Sequence, residues 1–265
     1  MEKKLAAPIA FGRTAEIYAW DEGKVIKLYY DWFSPEAVGY EARLAAMVHS
    51  SGLSTPAVGE IVEVNGRTGL IYERVAGAAL FEVMPQKPWT ILHYGRRMAE
   101  LHVEMHSRTI TLEITRQRQR LAEKIEQASA LPDKLRKRSL AALATMPDGD
   151  QLCHGDFHPA NVLATPQGEV IIDWIDATRG NPLADLARSS IIAQGVAATE
   201  QTTSPIEKLF VRLFHAIYLR RYFALRPAGR EEYGRWLPIV AAARLSENIP
   251  EVEAWLLAQA EKVVD

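Results

Sequence analysis

Three side chains with oxygen donors, Asp156, Asn161 and Asp173, form the densest polar cluster in the sequence. Asp156 and Asn161 lie in the segment 152–163, and Asp173 ends the apolar run 170–172. Phosphoryl transfer from ATP is the chemistry that such a set supports, because it needs a carboxylate beside the acceptor hydroxyl and hard oxygen ligands for Mg²⁺. We predict that Asp156 takes or orients the hydroxyl, and that Asn161 and Asp173 bind magnesium.

Phosphoryl transfer from ATP also requires a lysine that reaches the ATP phosphates from a strand and is held in place by a glutamate on a helix. A lysine and a glutamate upstream of the polar cluster fit this requirement. Lys27 stands in the middle of the apolar run 25–29, and Glu41 falls on the same helical stripe as Val38 and Leu44. A carboxylate on a buried stripe is costly without a partner. The sequence therefore predicts a buried ion pair between Lys27 and Glu41.

Other chemistries remain open for the same residues. His154, Asp156 and His158 alternate on an extended segment, as the ligands of a metal-dependent hydrolase can. That hypothesis leaves Asn161 and the upstream lysine unexplained. Asp173 could also be a simple turn residue at the end of a strand, and His154 is interpreted as a packed, hydrogen-bonded histidine.

The elements that must position these residues begin with a small antiparallel sheet carrying one helix. Turn residues separate short apolar runs in the first 73 residues, which is typical of strands and hairpins. A serine followed by a proline is a helix-start signal. We predict strands within 9–30 with a hairpin at 21–23, and a helix opened by Ser34 and Pro35 that runs to about His49. Two further strands are predicted at 59–64 and 68–73, on either side of the Asn65-Gly66 turn.

The rest of the chain is predicted to be mostly helical. Apolar residues at Ile91, Tyr94, Met98, Leu101 and Met105 recur at alternating steps of three and four, as one face of a helix requires. The cations within 113–146 are interpreted as a solvated helix surface. Further helices are expected at 206–225 and 237–244, and the predicted domains are 1–74 and 75–265.

Composition narrows the class of protein. The chain has 265 residues and a formal net charge of -2, which gives no overall attraction to nucleic acid or to an anionic membrane. A single cysteine, Cys153, excludes an internal disulfide and favours a reducing compartment. No apolar run approaches the roughly 20 residues of a membrane-spanning helix. We therefore expect a soluble, cytoplasmic protein.

The sequence resembles the aminoglycoside phosphotransferase and choline kinase-like family, distant relatives of protein kinases. The resemblance covers about residues 9–190 and implies an α+β, two-lobed protein-kinase-like fold, with a small antiparallel-sheet N-lobe, a mostly helical C-lobe, and ATP and Mg²⁺ bound between them. Four collinear motifs carry it: His154-Gly155-Asp156, Asn161, Ile172-Asp173-Trp174 and Asp185-Leu186-Ala187.

The resemblance also implies roles for individual residues. Asp156 is then the catalytic aspartate, and His154 and Asp185 brace the catalytic loop. The turn Gly12-Arg13-Thr14 resembles the family's phosphate-covering turn, and the segment around Glu73 and Val75 resembles the connection whose backbone contacts adenine. His158, Asp176 and Arg179 are candidate acceptor or loop contacts, whereas His102 and His106 are interpreted as structural.

The acceptor is predicted only by class, as a small-molecule hydroxyl compound such as an aminoglycoside, sugar or amino alcohol. The acidic and basic residues of the C-terminal third are balanced and do not indicate a polycation pocket. A protein Ser/Thr kinase would share the same residues, although no long activation segment separates Asp173 from Asp185. A non-catalytic nucleotide-binding module is also compatible with the sequence, as is a metal-dependent hydrolase. The sequence predicts no oligomeric state.

Overall fold

The computed structural model describes residues 5–109, 114–199 and 204–263, which combine antiparallel sheets with helices in an α+β arrangement. The chain divides into two compact units, one formed by Met1–Val83 and Ala160–Ile175 and the other by Met84–Pro159 and Asp176–Asp265. These units differ from the predicted domains 1–74 and 75–265. Among the described residues, no helix has the length and apolarity needed to cross a bilayer.

The first unit is built on a five-stranded antiparallel sheet with the strand order β1-β2-β3-β5-β4. One helix, α1, packs on this sheet, as the sequence predicts. Ser34 caps α1 by accepting a hydrogen bond from the backbone N–H of Ala37 at 3.2 Å, and Pro35 occupies the first turn. The elements are β1 (Ala10–Phe11), β2 (Ala15–Ala19), β3 (Lys24–Tyr29), α1 (Pro35–Ser50), β4 (Val58–Val64) and β5 (Arg67–Glu73).

The turn between β4 and β5 shows how the sequence fixes the register of this sheet. Asn65 and Gly66 have φ values of 53° and 80°, which is the left-handed pair that a two-residue hairpin favours. On its other side β5 pairs with β3, which places Leu70 opposite Lys27. Leu70 is fully buried with Val38 of α1, so sheet and helix share one apolar core.

A second, three-stranded sheet explains why segments from both sides of the predicted boundary join the first unit. Its strands are ordered β6-β8-β9 and consist of β6 (Ala78–Ala79), β8 (Val162–Thr165) and β9 (Gly168–Ile171). The backbone N–H of Ile171 also donates to the carbonyl of Ser54 at 2.8 Å, and the indole N–H of Trp174 donates to the hydroxyl of Thr55 at 3.0 Å. The strand that leads to Asp173 is thus anchored at the loop after α1.

The second unit is mainly helical. The helix α2 (Leu80–Gln86) spans the division between the units. Among the described residues it is followed by seven further helices and a two-stranded sheet, β7 (Gln151–Cys153) with β10 (Thr178–Gly180). The predicted face of α3 is confirmed, since Ile91, Met98, Leu101 and Met105 are buried. The helices are α3 (Ile91–His106), α4 (Gln117–Gln127), α5 (Asp133–Thr145), α6 (Pro182–Ala198), α7 (Pro205–Leu225), α8 (Arg230–Arg244) and α9 (Pro250–Ala260).

The predicted solvated helix over 113–146 needs correction. Residue 113 lies outside the described residues, and the remainder forms the two helices α4 and α5. Several of its cations are engaged in structure rather than solvated: Arg136 donates to the carbonyls of Ile125 and Leu131, and Arg120 pairs with Asp176 at 3.0 Å. The spacing of charges was a poor guide because arginine can bind helix-end carbonyls of a neighbouring segment.

Candidate active site

Lys27 lies at the centre of a charged cluster in the first unit. Its Nζ donates to Oε1 of Glu41 at 2.8 Å and to Oδ1 of Asp173 at 3.0 Å. The hydroxyl of Tyr72 also donates to Oε1 of Glu41, at 3.0 Å. The ion pair predicted from the buried stripe is therefore present, and it includes a third charge, Asp173, that is distant in the sequence.

Burial and charge act in opposite directions on Lys27. Burial alone would lower the pKa of its ammonium group, but the carboxylates of Asp173 and Glu41 together raise the pKa above its ordinary value. The lysine is therefore held as a cation. Glu41 is 2% exposed, whereas the Asp173 side chain is 44% exposed, so one side of the cluster is accessible to a ligand.

The backbone brings Asn161 and Asp173 to neighbouring positions. Val162 of β8 pairs with Ile171 of β9, and the Ile172 N–H donates to the carbonyl of Asn161 at 3.0 Å. The two predicted magnesium ligands thus flank the same end of one hairpin. Asp173 has a φ of 63°, a left-handed conformation that aspartate and asparagine tolerate better than other non-glycine residues.

In the second unit, the Asp156 carboxylate is held from both sides. Its Oδ1 accepts a hydrogen bond from Nη2 of Arg188 at 3.0 Å, and Oδ2 lies 3.3 Å from Nε2 of His158. Burial would raise the pKa of Asp156, but the hydrogen bond with His158 and the charge of Arg188 lower it far below the usual range. The carboxylate is therefore ionised throughout the neutral range.

The loop that carries Asp156 is fastened to Asp185 near the start of α6. The backbone N–H groups of His154 and Gly155 donate to Oδ2 and Oδ1 of Asp185 at 2.7 and 2.8 Å. The Asp156 N–H donates to Nδ1 of His154 at 3.2 Å, and His154 is fully buried. These contacts tie the loop that carries Asp156 to Asp185. The bracing roles that the resemblance implied for His154 and Asp185 stay predictions.

Two more histidines complete this arrangement, which we call the Asp185 hub: Asp185, His102, His106, Tyr218 and Tyr222. Both histidine Nε2 atoms lie within 3.2 Å of Oδ2 of Asp185, and the tyrosine hydroxyls donate to the Nδ1 atoms. Burial lowers the pKa of His102, and lowers that of His106 to about 3. The three metal-capable side chains of this cluster are therefore joined by hydrogen bonds between neutral imidazoles and an ionised carboxylate.

The remaining candidate nucleotide contacts lie on the first sheet. The Gly12 N–H donates to the carbonyl of Ala15 at 2.8 Å and is engaged within its own turn. The side chain of Glu73 accepts from the Ala57 N–H at 3.1 Å, and the Val75 carbonyl accepts from Gly77.

The two candidate acceptor contacts after Asp173 have different environments. Asp176 lies 3.0 Å from Nη1 of Arg120 and 3.7 Å from Nζ of Lys124, within a group of charges in the second unit. Arg179 is in β10, where its side chain lies 3.2 Å from the carboxylate of Asp150. The Asp176 carboxylate is thus paired with cations of α4, whereas the Arg179 guanidinium is paired with Asp150.

Arg188 and Glu247 are site residues that the sequence reasoning missed. Arg188 contacts Asp156, and its Nη2 also lies 2.6 Å from Oε1 of Glu247. Glu247 in turn lies 3.3 Å from Nε of Arg244. The signal for Arg188 in the sequence was its position directly after the motif Asp185-Leu186-Ala187.

Sequence relatives place the chain in a family of enzymes. The model of the phosphotransferase enzyme family matches residues 31–233, so the chain belongs to that family. An uncharacterized protein of Deinococcus radiodurans is 26% identical over 212 residues, which are 71% of this chain and 61% of the relative. The chain thus spans about three fifths of the length of this curated relative.

Solved structures establish that the fold is kinase-like. A choline/ethanolamine kinase family protein from Mesorhizobium loti has a TM-score of 0.62 at 17% identity. The superposition covers 98% of this chain and 87% of the chain of that protein. An aminoglycoside-3'-phosphotransferase of type VIII has a TM-score of 0.59 at 21% identity, covering 92% of each chain. An aminoglycoside phosphotransferase from Streptomyces rimosus, solved with ADP and streptomycin, has a TM-score of 0.59 at 16% identity, covering 89% of this chain and 91% of its own. The predicted family resemblance and α+β fold are confirmed.

Proposed function

We propose that this protein is an ATP- and magnesium-dependent phosphotransferase that moves the γ-phosphoryl group of ATP to a hydroxyl of a small molecule. Family membership supports transfer of a phosphoryl group. Structural relatives were solved with an ATP analogue or with ADP, which favours a nucleotide as the donor. The candidate acceptors remain those predicted from the sequence: an aminoglycoside, a sugar or an amino alcohol.

The observation that carries the proposal is the position of Lys27 between Glu41 and Asp173. A lysine buried with two carboxylates, one of them accessible, has the arrangement that a phosphate-binding lysine requires. Glu41 fixes the ammonium group, so the lysine is positioned before a ligand binds. We assign Lys27 to the ATP phosphates and Glu41 to the positioning of Lys27.

The residues at the end of the β8–β9 hairpin fit a magnesium ion. Asn161 offers an amide oxygen and Asp173 a carboxylate, and Mg²⁺ takes few protein oxygens because phosphate oxygens and water complete its octahedron. When bound, Mg·ATP would supply the transferred group and neutralise charge on its phosphates. The ammonium group of Lys27, which is 3.0 Å from Asp173, would lie next to the same phosphates.

The environment of Asp156 favours orientation of the acceptor over early removal of its proton. The lowered pKa of Asp156 makes its carboxylate a weak base at neutral pH. An ionised carboxylate still accepts a hydrogen bond from a hydroxyl and directs its oxygen, and phosphoryl transfer depends mainly on positioning and electrostatic stabilisation. We therefore assign Asp156 the role of holding the acceptor hydroxyl, with His154 and Asp185 positioning the loop and His158 beside the carboxylate.

The proposed reaction also has implications for the location of the protein, its partners and its adenine contacts. Use of ATP fits a cytoplasmic location, as does the free and buried state of the sole cysteine, Cys153. A near-neutral net charge supports a small-molecule partner rather than nucleic acid or a membrane surface. The adenine would be contacted by the backbone at Glu73 and Val75.

The proposal is tested by measuring ADP release from Mg·ATP with panels of aminoglycosides, sugars and amino alcohols, and with a generic protein substrate. We expect Asp156→Asn to retain Mg·ATP binding in a calorimetric titration and to lose turnover on the order of 100-fold or more. The matched control is Asp133→Asn, because that side chain is 93% exposed on α5 in the same unit.

Absence of Mg·ATP binding by the wild-type protein would contradict the proposal. Turnover by Asp156→Asn at the level of Asp133→Asn would remove the role assigned to Asp156. Phosphorylation of the protein substrate in preference to every small molecule would favour a protein kinase.

A further inference from the structure

A small cavity in the second unit is lined by four cationic side chains. It lies next to the loop that carries Asp156, is lined by Gly155, and has a volume of about 40 Å³, more than the roughly 10–15 Å³ that one water requires. The cations come from three helices: Arg120 and Lys124 from α4, Arg188 from α6 and Arg244 from α8.

Two carboxylates, Asp176 and Asp185, line the cavity beside the four cations, and two more, Asp156 and Glu247, contact those cations. Asp185 lines the cavity, but both of its oxygens are bound by the Asp185 hub and the loop N–H groups. Asp156 contacts Arg188 through one oxygen, and its other oxygen faces His158. The remaining two carboxylates are each shared between at least two cations. Asp176 contacts Arg120 and Lys124, and Glu247 contacts Arg188 and Arg244.

One of the residues that line the cavity, Arg244, has a nitrogen without a hydrogen-bond partner in the part of the chain that the structure describes. Its side chain is 10% exposed, and among the described residues its buried Nη1 has no hydrogen-bond partner. A buried guanidinium nitrogen without a partner is costly, so a ligand that supplies an acceptor is favoured. Burial and the charge of Arg188 lower the pKa of Arg244 to about 10, and burial also lowers the pKa of Lys124.

Arg188 links the cavity to the proposed catalytic residue. It lines the cavity, donates to the carbonyl of Gly155 at 3.1 Å, and contacts Asp156 at 3.0 Å. A group bound in the cavity would therefore lie one side chain away from the carboxylate that holds the acceptor hydroxyl.

We infer that the acceptor is a hydroxylated carboxylic acid, whose carboxylate enters this cavity and binds Arg244 and Lys124. The inference rests on the proposed function, since it names the acceptor class of that same reaction. Guanidinium and ammonium groups recognise carboxylates through charge-assisted hydrogen bonds. A polycationic aminoglycoside would meet Arg120, Lys124, Arg188 and Arg244, and like charges in a small cavity repel.

The site is tested with propionate as the probe and propionamide as a neutral molecule of the same shape. Binding is measured by ligand-detected NMR titration, with and without Mg·ATP, on the wild-type protein and on Lys124→Gln and Arg244→Gln. The Lys124 side chain is 22% exposed, so its variant disturbs packing less than the Arg244 variant. Lys137→Gln is the matched control, since Lys137 is exposed on α5.

We expect propionate to bind at least tenfold more tightly than propionamide, and each of the two cavity variants to weaken propionate binding about tenfold, the loss of one charge-assisted hydrogen bond. The control should bind like the wild type. Equal binding of propionate and propionamide, or propionate binding that is unchanged in both cavity variants, would overturn the inference. Tighter binding of methyl phosphate than of propionate would overturn the assignment to a carboxylate.

A second arm compares ADP release with glycerate, glycerol and ethanolamine. A higher kcat/KM for glycerate that falls in Lys124→Gln supports the inference, and a preference for ethanolamine overturns it. The propionate titration does not depend on turnover. Failure of the proposed phosphotransferase reaction is therefore distinguishable from failure of the carboxylate site.

Discussion

The ion pair between Lys27 and Glu41 can be tested by a double-mutant cycle that separates its structural role from its catalytic role. The variants are Lys27→Met, Glu41→Gln and the double variant. Each single change leaves a different partner behind: Glu41→Gln leaves Lys27 with Asp173 at 3.0 Å, whereas Lys27→Met leaves the carboxylate of Glu41 with the hydroxyl of Tyr72.

The two single variants should therefore lose different amounts of unfolding free energy. Glu41 is 2% exposed, so Lys27→Met leaves an almost completely buried charge and should cost about 3–5 kcal/mol of unfolding free energy. Glu41→Gln leaves a lysine that still pairs with the accessible Asp173, and should cost about 1.5–3 kcal/mol. The double variant should cost less than the sum, with a coupling of about 2 kcal/mol.

Stability is measured by urea unfolding at pH 7, and activity by ADP release. The pKa of Lys27 is raised in the folded protein, so its contribution to stability is fully present below the unfolded pKa of about 10.4 and is lost as the pH rises through the folded pKa. The pair is therefore intact at pH 7. Lys24→Met is the control, because Lys24 is exposed on the same strand.

For activity, we expect Lys27→Met to lower kcat/KM on the order of 100-fold or more, as loss of one preorganised charge typically does. Glu41→Gln should lower activity less, because Lys27 remains but is less firmly held. Additive stability losses would show that the two side chains do not interact. ADP release by Lys27→Met within a factor of about two of the Lys24→Met control would refute the assignment of Lys27 to the ATP phosphates.

Three further predictions concern the other carboxylates. Asp173→Asn should keep its left-handed backbone and unfold within about 1 kcal/mol of the wild type, while ADP release falls on the order of 100-fold. His158→Gln should raise the pKa of Asp156 by removing its hydrogen-bond partner, and so move the acidic limb of the pH–rate profile to higher pH. Asp185→Asn should cost about 3–5 kcal/mol in urea unfolding, because an amide cannot accept four donors in a buried site.

Each of these three predictions has a result that would contradict it. Asp173→Gly should match Asp173→Asn in activity, since both lack the carboxylate, and activity in either variant near the wild-type level would exclude Asp173 as a metal ligand. If the acidic limb of the pH–rate profile does not move in His158→Gln, ionisation of Asp156 does not determine that limb. The pKa of Asp156 is lowered on folding, so its stabilisation is present above the unfolded pKa of about 3.9 and is lost as the pH falls toward the folded value. Asp185→Asn with wild-type stability would contradict the bracing role.

The part of the site that could be predicted from the sequence is the part governed by local rules. A charge on an apolar stripe requires a partner, and this rule, together with the lysine–glutamate pair that phosphoryl transfer from ATP requires, led from Glu41 to Lys27. The Asn65-Gly66 turn predicted a hairpin because few residue pairs adopt its backbone. Asp173 was identified by its place at the end of a buried strand.

The residues that escaped prediction depend on contacts between distant segments. Arg188, Glu247 and Arg244 come together only when α6 and α8 pack. In the sequence, Glu247 and Arg244 were two members of a balanced mixture of charges. The same holds for Lys124, which the charge pattern placed on a solvated surface and the structure places at the cavity. A one-dimensional pattern shows that a helix is amphipathic, but not which neighbour its polar residues meet.

The Asp185 hub has a consequence for motion. The amide hydrogens of His154 and Gly155 point at a carboxylate that is also held by side chains of α3 and, through two tyrosines, by α7. These amides can exchange with solvent only when that whole set of bonds is broken, so their exchange should require unfolding of the helices themselves. The loop that carries Asp156 is therefore expected to stay rigid for as long as these helices remain folded.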